Sequence, residues 1–202
     1  KLVLEANGFH ELRVRKNASQ EYILDVPADK LVKGKMFSLY TGTETREEKE
    51  VIRNIFNGNL KVLSSTLQEQ LREINEDNLR GELVKIFMIT ASGAEGISLK
   101  NVRYVHIMEP YWHPVRVNQV IGRARRICSH SDLPDEEQNI KVFMYLMKFS
   151  KEQIDTLMST ELKINDTSKY DKRNKDPISS DESLYEIMKV KDGISKQLLK
   201  SV

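Results

Sequence analysis

The sequence predicts an α/β layer fold with a largely parallel sheet. Three short runs rich in apolar, β-branched and aromatic residues, Val84–Thr90, Val102–Met108 and Ile140–Leu146, read as buried strands. Amphipathic helical stretches alternate with them, as they do where crossover helices join parallel strands. With 202 residues, 39% of them hydrophobic and 31% charged, the chain can bury a core without disulfide or metal staples.

The elements follow in order. Lys1–Ala6 reads as the last turns of a helix closed by Asn7-Gly8, so the chain is expected to be a piece of a longer polypeptide. Lys35–Thr41 alternates as a strand and Gly42 breaks it. Thr45 and Glu48 form a capping box for a helix that carries Val51, Ile52, Ile55 and Phe56 and stops at Asn57-Gly58. A second helix is expected from Thr66 to about Asp77, with Leu67, Leu71 and Ile74 at helical spacing. Pro114 opens a helix expected to reach about Ile127, and Ser150 with Gln153 caps another. After Glu161 the chain turns polar, which predicts a linker over 161–180. Ser179 and Glu182 then start a terminal helix over 181–202 carrying Leu184, Ile187, Met188, Ile194 and Leu198.

Thirty-two basic residues nearly balance 30 acidic ones, but their distribution is uneven. Pro110 to Ser131 holds no acid, while His113, Arg116, Arg123, Arg125, Arg126 and His130 all fall there. With Gln119 at zero on a helical wheel, Gly122, Arg123 and Arg126 lie at roughly −60°, +40° and −20°. Val117, Val120, Ile121 and Ala124 take the opposite face. One face therefore offers an amide, two guanidiniums and a bare glycine, and the arginine fork suits phosphate oxygens. The loop Thr90–Leu99, with Gly93 and Gly96, follows a strand at the end where open α/β sheets bind ligands.

Gln119-x-x-Gly122-Arg123-x-x-Arg126 resembles motif VI of superfamily 2 helicases, and Thr90–Leu99 resembles their motif V. Tyr40–Thr43 with Arg46 is similar to the motif IV region, and Glu109–Pro114 to a Trp-Asn-Pro stretch of Swi/Snf-type translocases. The nearest resemblance is to such helicases of nucleocytoplasmic large DNA viruses, through Ile89–Arg103 and Gly122–His130. Ala91, Ser98 and His113 depart from the Swi/Snf pattern, which argues against chromatin remodelling. The resemblance implies that residues 1–160 form a C-terminal RecA-like lobe lacking its first strand. It implies arginine fingers at Arg123 and Arg126, and ATP contacts from Gln119, Gly122 and Gly96. Thr90, Ser92, Tyr40, Gly42, Trp112 and Arg116 would contact DNA or RNA.

The chain contains no Gly-x-x-x-x-Gly-Lys-Ser/Thr phosphate loop and no acidic box for a metal. ATP and Mg2+ would therefore be held mainly by an N-terminal lobe of the same polypeptide, and this chain alone should be inactive. Viral transcription machinery is a further expected partner. A binding module that keeps the fold without catalysis is the alternative, which the paired arginines with Gln119 disfavour. No apolar run approaches the roughly 20 residues of a membrane span, so no membrane partner is expected. A single cysteine suits a reducing compartment: host cytoplasm, nucleus or virion. Cys128, His130 and His113 lack the second ligand pair a zinc site needs. His106, within an apolar run, is expected in the core. Trp112 is read as packing more readily than as base stacking.

Overall fold

The computed structural model describes residues 1–90, 96–155, 167–170 and 177–200, with the backbone alone at 167–170 and 177. The chain forms two compact units, Lys1–Arg103 with Arg123–Asn139, and Tyr104–Gly122 with Ile140–Val202.

In the first unit α1 (Leu2–Ala6) leads into β1 (His10–Glu11) and a hairpin of β2 (Val14–Lys16) and β3 (Tyr22–Leu24). Then come β4 (Met36–Tyr40), α2 (Arg46–Phe56), α3 (Ser65–Arg72) and β5 (Ile86–Ile89). β4 lies between β1 and β5 and is parallel to both, with His10 opposite Met36 and Tyr40 opposite Ile89. Parallel neighbours need a long crossover, which α2 and α3 supply between β4 and β5 and the β2–β3 hairpin with its following turn supplies between β1 and β4. The capping box forms as expected: the Glu48 amide donates to Thr45 Oγ1 at 3.2 Å, and the Thr45 amide to Glu48 Oε2 at 2.7 Å. Gly58, at φ +71, ends the turn after α2 in a conformation glycine adopts without strain.

Ile52, Ile55, Leu67 and Leu71 from the two helices close over Leu12, Met36, Leu83 and Val84 in one buried cluster. Asn78 is buried beside it and uses its whole hydrogen-bonding capacity. Its Oδ1 accepts from the Leu83 and Val84 amides at 2.8 and 2.9 Å, and its Nδ2 donates to the Phe56 and Val84 carbonyls at 2.7 and 3.3 Å.

The second unit contains β6 (Tyr104–Ile107), most of α4 (Pro114–Ala124), β7 (Lys141–Met144), α5 (Lys151–Asp155), β8 (Thr167–Tyr170), β9 (Pro177–Ser179) and α6 (Ser180–Lys200). β6 and β7 pair in parallel, Tyr104 opposite Lys141. Both expected caps form, Ser150 with Gln153 and Ser179 with Glu182. α6 continues through Gly193, and among the described residues no helix is long and apolar enough to cross a membrane.

Several expectations need correction. The helix expected to Asp77 ends at Arg72, because the Ile74 amide tightens onto the Leu71 carbonyl and Asn75 Nδ2 turns to the Asp77 carbonyl. The expected linker contains an antiparallel pair, β8 with β9, whose backbone ladder needs no apolar run. Pro177 opens β9, where a missing amide is tolerated. β6 and β7 are not buried: Tyr104 is 53% and Phe143 41% exposed. Their alternate side chains share one face. There Tyr104, His106, Phe143 and Tyr145 stack on one another at centroid spacings of 5.2–6.5 Å. His106 is accordingly an exposed residue with Nδ1 2.8 Å from the Tyr145 hydroxyl, not a core histidine.

Candidate nucleotide and nucleic-acid site

The carboxyl end of the first unit's sheet carries a charged cavity of about 370 Å3. Tyr40 ends β4 there, and Arg46, Lys49, Glu50 and Arg53 reach it from α2, opposite Gly96 and Ile97. Lys49 Nζ stands 5.7 Å from the Tyr40 ring centroid, and Arg53 is paired with Glu50. Burial pushes the Tyr40 hydroxyl above its ordinary value, against the opposing pull of Arg53. Gly42 lies in an exposed loop built around Glu44. The Glu44 carboxylate accepts from the Thr41 amide at 2.6 Å, and from the Thr41 and Thr43 hydroxyls at 2.8–3.0 Å. Thr90 follows β5, its amide 3.4 Å from the Tyr40 carbonyl. Ser92 lies outside the described residues.

Gly96 has φ +76, a region unfavourable to side chains. The loop after it is anchored by buried Ile97 and Leu99. Asn57, read from the sequence only as a helix stop, clamps it: Nδ2 donates to the Ser98 carbonyl at 3.0 Å, and Oδ1 accepts from the Lys100 amide at 2.9 Å. An asparagine before a glycine carries no separate signal for that second role.

α4 packs Val117 and Ala124 inward and leaves Gln119 exposed, matching the wheel. At Gly122 a Cβ would meet nothing within 4 Å, so no described residue of the chain crowds that position. The helix stops at Ala124, earlier than expected, and Arg126 stands in the segment beyond it. One distant bond and one from the following turn set this end. The Leu99 amide donates to the Arg123 carbonyl at 3.1 Å, and Ser129 Oγ donates to the Ala124 carbonyl at 2.9 Å. Both carbonyls would otherwise call for helical amides further along the chain.

Arg123 is half-buried and Arg126 exposed. Among the described residues neither guanidinium has an anionic partner, whereas Arg103 and Arg80 share Glu137. Gly96, Thr90, Tyr40, Gly42, Arg123 and Arg126 belong to the first unit, and Gln119, Gly122, Trp112 and Arg116 to the second. Within the second unit, Arg116 stacks on Tyr111 at 4.6 Å and donates to its hydroxyl at 3.1 Å. That bond, followed by one from Trp112, holds the Tyr111 hydroxyl below its ordinary value. Trp112 is part-exposed with Lys191 Nζ 3.6 Å from its ring centroid. Among the described residues no three metal-ligating side chains come together.

A parallel sheet with flanking helices, a glycine-bearing loop at the strand ends, and arginines at and just past the end of α4 that have no anionic partner among the described residues define a RecA-like lobe of helicase type. Residues 18–128 match the family described as helicase conserved C-terminal domain, and the chain belongs to it. The relatives place it with the superfamily 2 helicases of large DNA viruses. The chain is 37% identical over 110 residues to a termination factor NPH-I homolog of African swine fever virus, covering 54% of this chain and 13% of that protein. A mimivirus protein provisionally described as ATP-dependent RNA helicase R563 is 36% identical, over 54% of this chain and 16% of its own length. Nucleoside triphosphatase I of Melanoplus sanguinipes entomopoxvirus is 32% identical over 55% and 19%. The chain thus spans under a fifth of the length of these relatives.

Proposed function

We propose that this chain is the C-terminal motor lobe of an ATP-dependent nucleic-acid helicase or translocase, and that Arg123 and Arg126 act as its arginine fingers. The observation that carries this reading is the pair of guanidiniums without anionic partners among the described residues, at the end of α4, where the Leu99 amide holds the Arg123 carbonyl. Gly96 and Gly122 would leave room for the nucleotide, and Gln119 would position it. ATP would supply the transferred phosphoryl group, with Mg2+ on an N-terminal lobe of the same polypeptide, since the chain lacks a phosphate loop. The two arginines would neutralise charge spreading over that group's oxygens. Tyr40, Gly42, Thr90, Ser92, Trp112 and Arg116 would face DNA or RNA, where phosphate contacts supply most of the affinity.

The African swine fever virus relative's description as a termination factor supports a transcription assembly as a further partner, and the single cysteine supports a reducing setting in host cytoplasm, nucleus or virion. The test joins the chain to its first lobe and measures nucleic-acid-stimulated ATPase with and without Arg126→Ala. A loss of about a thousandfold is expected, and a loss below about tenfold overturns the finger assignment.

A further inference from the structure

The segment after α4 is tied to the glycine loop by a ladder of non-local bonds. The Leu99 amide reaches the Arg123 carbonyl at 3.1 Å, and the Asn101 amide reaches the Ser129 carbonyl at 2.9 Å. The side chain of His130 adds a third rung, with Nε2 2.7 Å from the Val102 carbonyl. A carbonyl only accepts, so this nitrogen carries a proton. The other ring nitrogen lies 2.8 Å from Ser129 Oγ, which itself donates to the Ala124 carbonyl. Ser129 is 6% exposed, and its amide closes the turn on the Arg126 carbonyl at 3.1 Å.

We propose that His130 and Ser129 are positioning residues that lock the loop Gly96–Val102 to the segment Arg123–His130, so that nucleic acid held at Thr90 and Ser92, a few residues earlier in the chain, is felt at the two guanidiniums. The inference rests on the finger assignment above but names a different device. The side-chain bonds that Ser129 and His130 make run to each other and to the Ala124 and Val102 carbonyls, not to any residue assigned to nucleotide or nucleic acid. Their effect runs through the backbone that carries Arg123 and Arg126. Asn57 holds the loop from the other side at Ser98 and Lys100, so the loop moves as one body with whatever is bonded to it. A displacement of about 1 Å at a reacting group can cost about a hundredfold in rate, which is the scale such a lock controls.

The test uses the complete polypeptide with its first lobe and follows two readouts. Hydrogen exchange at the Leu99 and Asn101 amides reports the lock, and the kcat and KM of stimulated ATPase report the coupling. His130→Ala should speed exchange at both amides by at least about tenfold. It should also lower stimulated kcat by about a hundredfold, with KM for ATP and affinity for a single-stranded oligonucleotide unchanged. Ser129→Ala should act in the same direction. His130→Gln, whose amide nitrogen can still reach the Val102 carbonyl, should recover most of the rate and keeps the test available if the alanine variant does not fold. Unchanged exchange in His130→Ala would overturn the lock, and faster exchange with an unchanged kcat would overturn the coupling. Arg126→Ala separates the two readings: an undiminished rate there sinks the finger assignment, while the exchange data still decide the lock.

Discussion

Removing the Asn78 side chain should destabilise the first unit more than any single surface change. Asn78→Ala strips the acceptor from the Leu83 and Val84 amides, whose residues are fully buried. It also strips a donor from the Phe56 and Val84 carbonyls. A buried donor left without a partner costs about 1–3 kcal/mol, so the two amides together set a range of roughly 2–6 kcal/mol. Water entering the vacated space offsets part of this, which places the expected loss near 3 kcal/mol. For a chain of this length that lowers the thermal midpoint by roughly 6–12 °C. Circular dichroism melts and urea titrations measure it, with Asn54→Ala, a half-buried residue whose amide reaches Glu50 at a long 3.4 Å, as a control expected within about 0.5 kcal/mol. A loss below about 1 kcal/mol for Asn78→Ala would mean that these amides find other partners, refuting the reasoning.

Thr45→Ala removes the capping box of α2 and should cost about 1 kcal/mol, read as a drop of a few degrees in the same melt. Burial works to raise the Glu44 carboxyl, but bonds from the Thr41 amide and the Thr41 and Thr43 hydroxyls outweigh it and hold the group below its ordinary range. Its stabilising contribution is therefore complete above the unfolded group's range and lost as pH falls through the depressed folded value. Carbon-13 NMR should find Glu44 titrating low, with Thr41 amide protection falling at the same pH; a titration at or above the ordinary range contradicts this. Glu137→Gln breaks the pairs with Arg80 and Arg103, and because these groups remain partly solvated the melt should register under about 1 kcal/mol.

Features written in local periodicity were legible in the sequence. The capping box at Thr45 and Glu48, the stop at Gly58, and the inward positions Ile52, Ile55, Leu67 and Leu71 all lie where spacing and turn chemistry put them. The strands β1 to β3 were not legible, because runs of two or three residues hold no period to detect. The end of α4 was missed for another reason. Its sequence continues a helical pattern to Ile127, but the terminating bonds come from Leu99, distant in the chain, and from the Ser129 hydroxyl, and no periodicity announces either. Of the candidate site, residue types and helical phase were readable at Gln119, Gly122 and Arg123. The supporting roles of Asn57, Ser129 and His130 depend on contacts across the fold, and Asn57 reaches residues more than forty positions away.

If Arg123 and Arg126 serve one phosphoryl group, a double-mutant cycle on stimulated ATPase in the complete polypeptide will show it. Groups acting as a unit are strongly non-additive. Arg123→Ala and Arg126→Ala should each cost about a thousandfold in kcat, and the double variant should cost little more than the worse single one. Two small losses that simply multiply, each below about tenfold, would identify independent surface charges and contradict it.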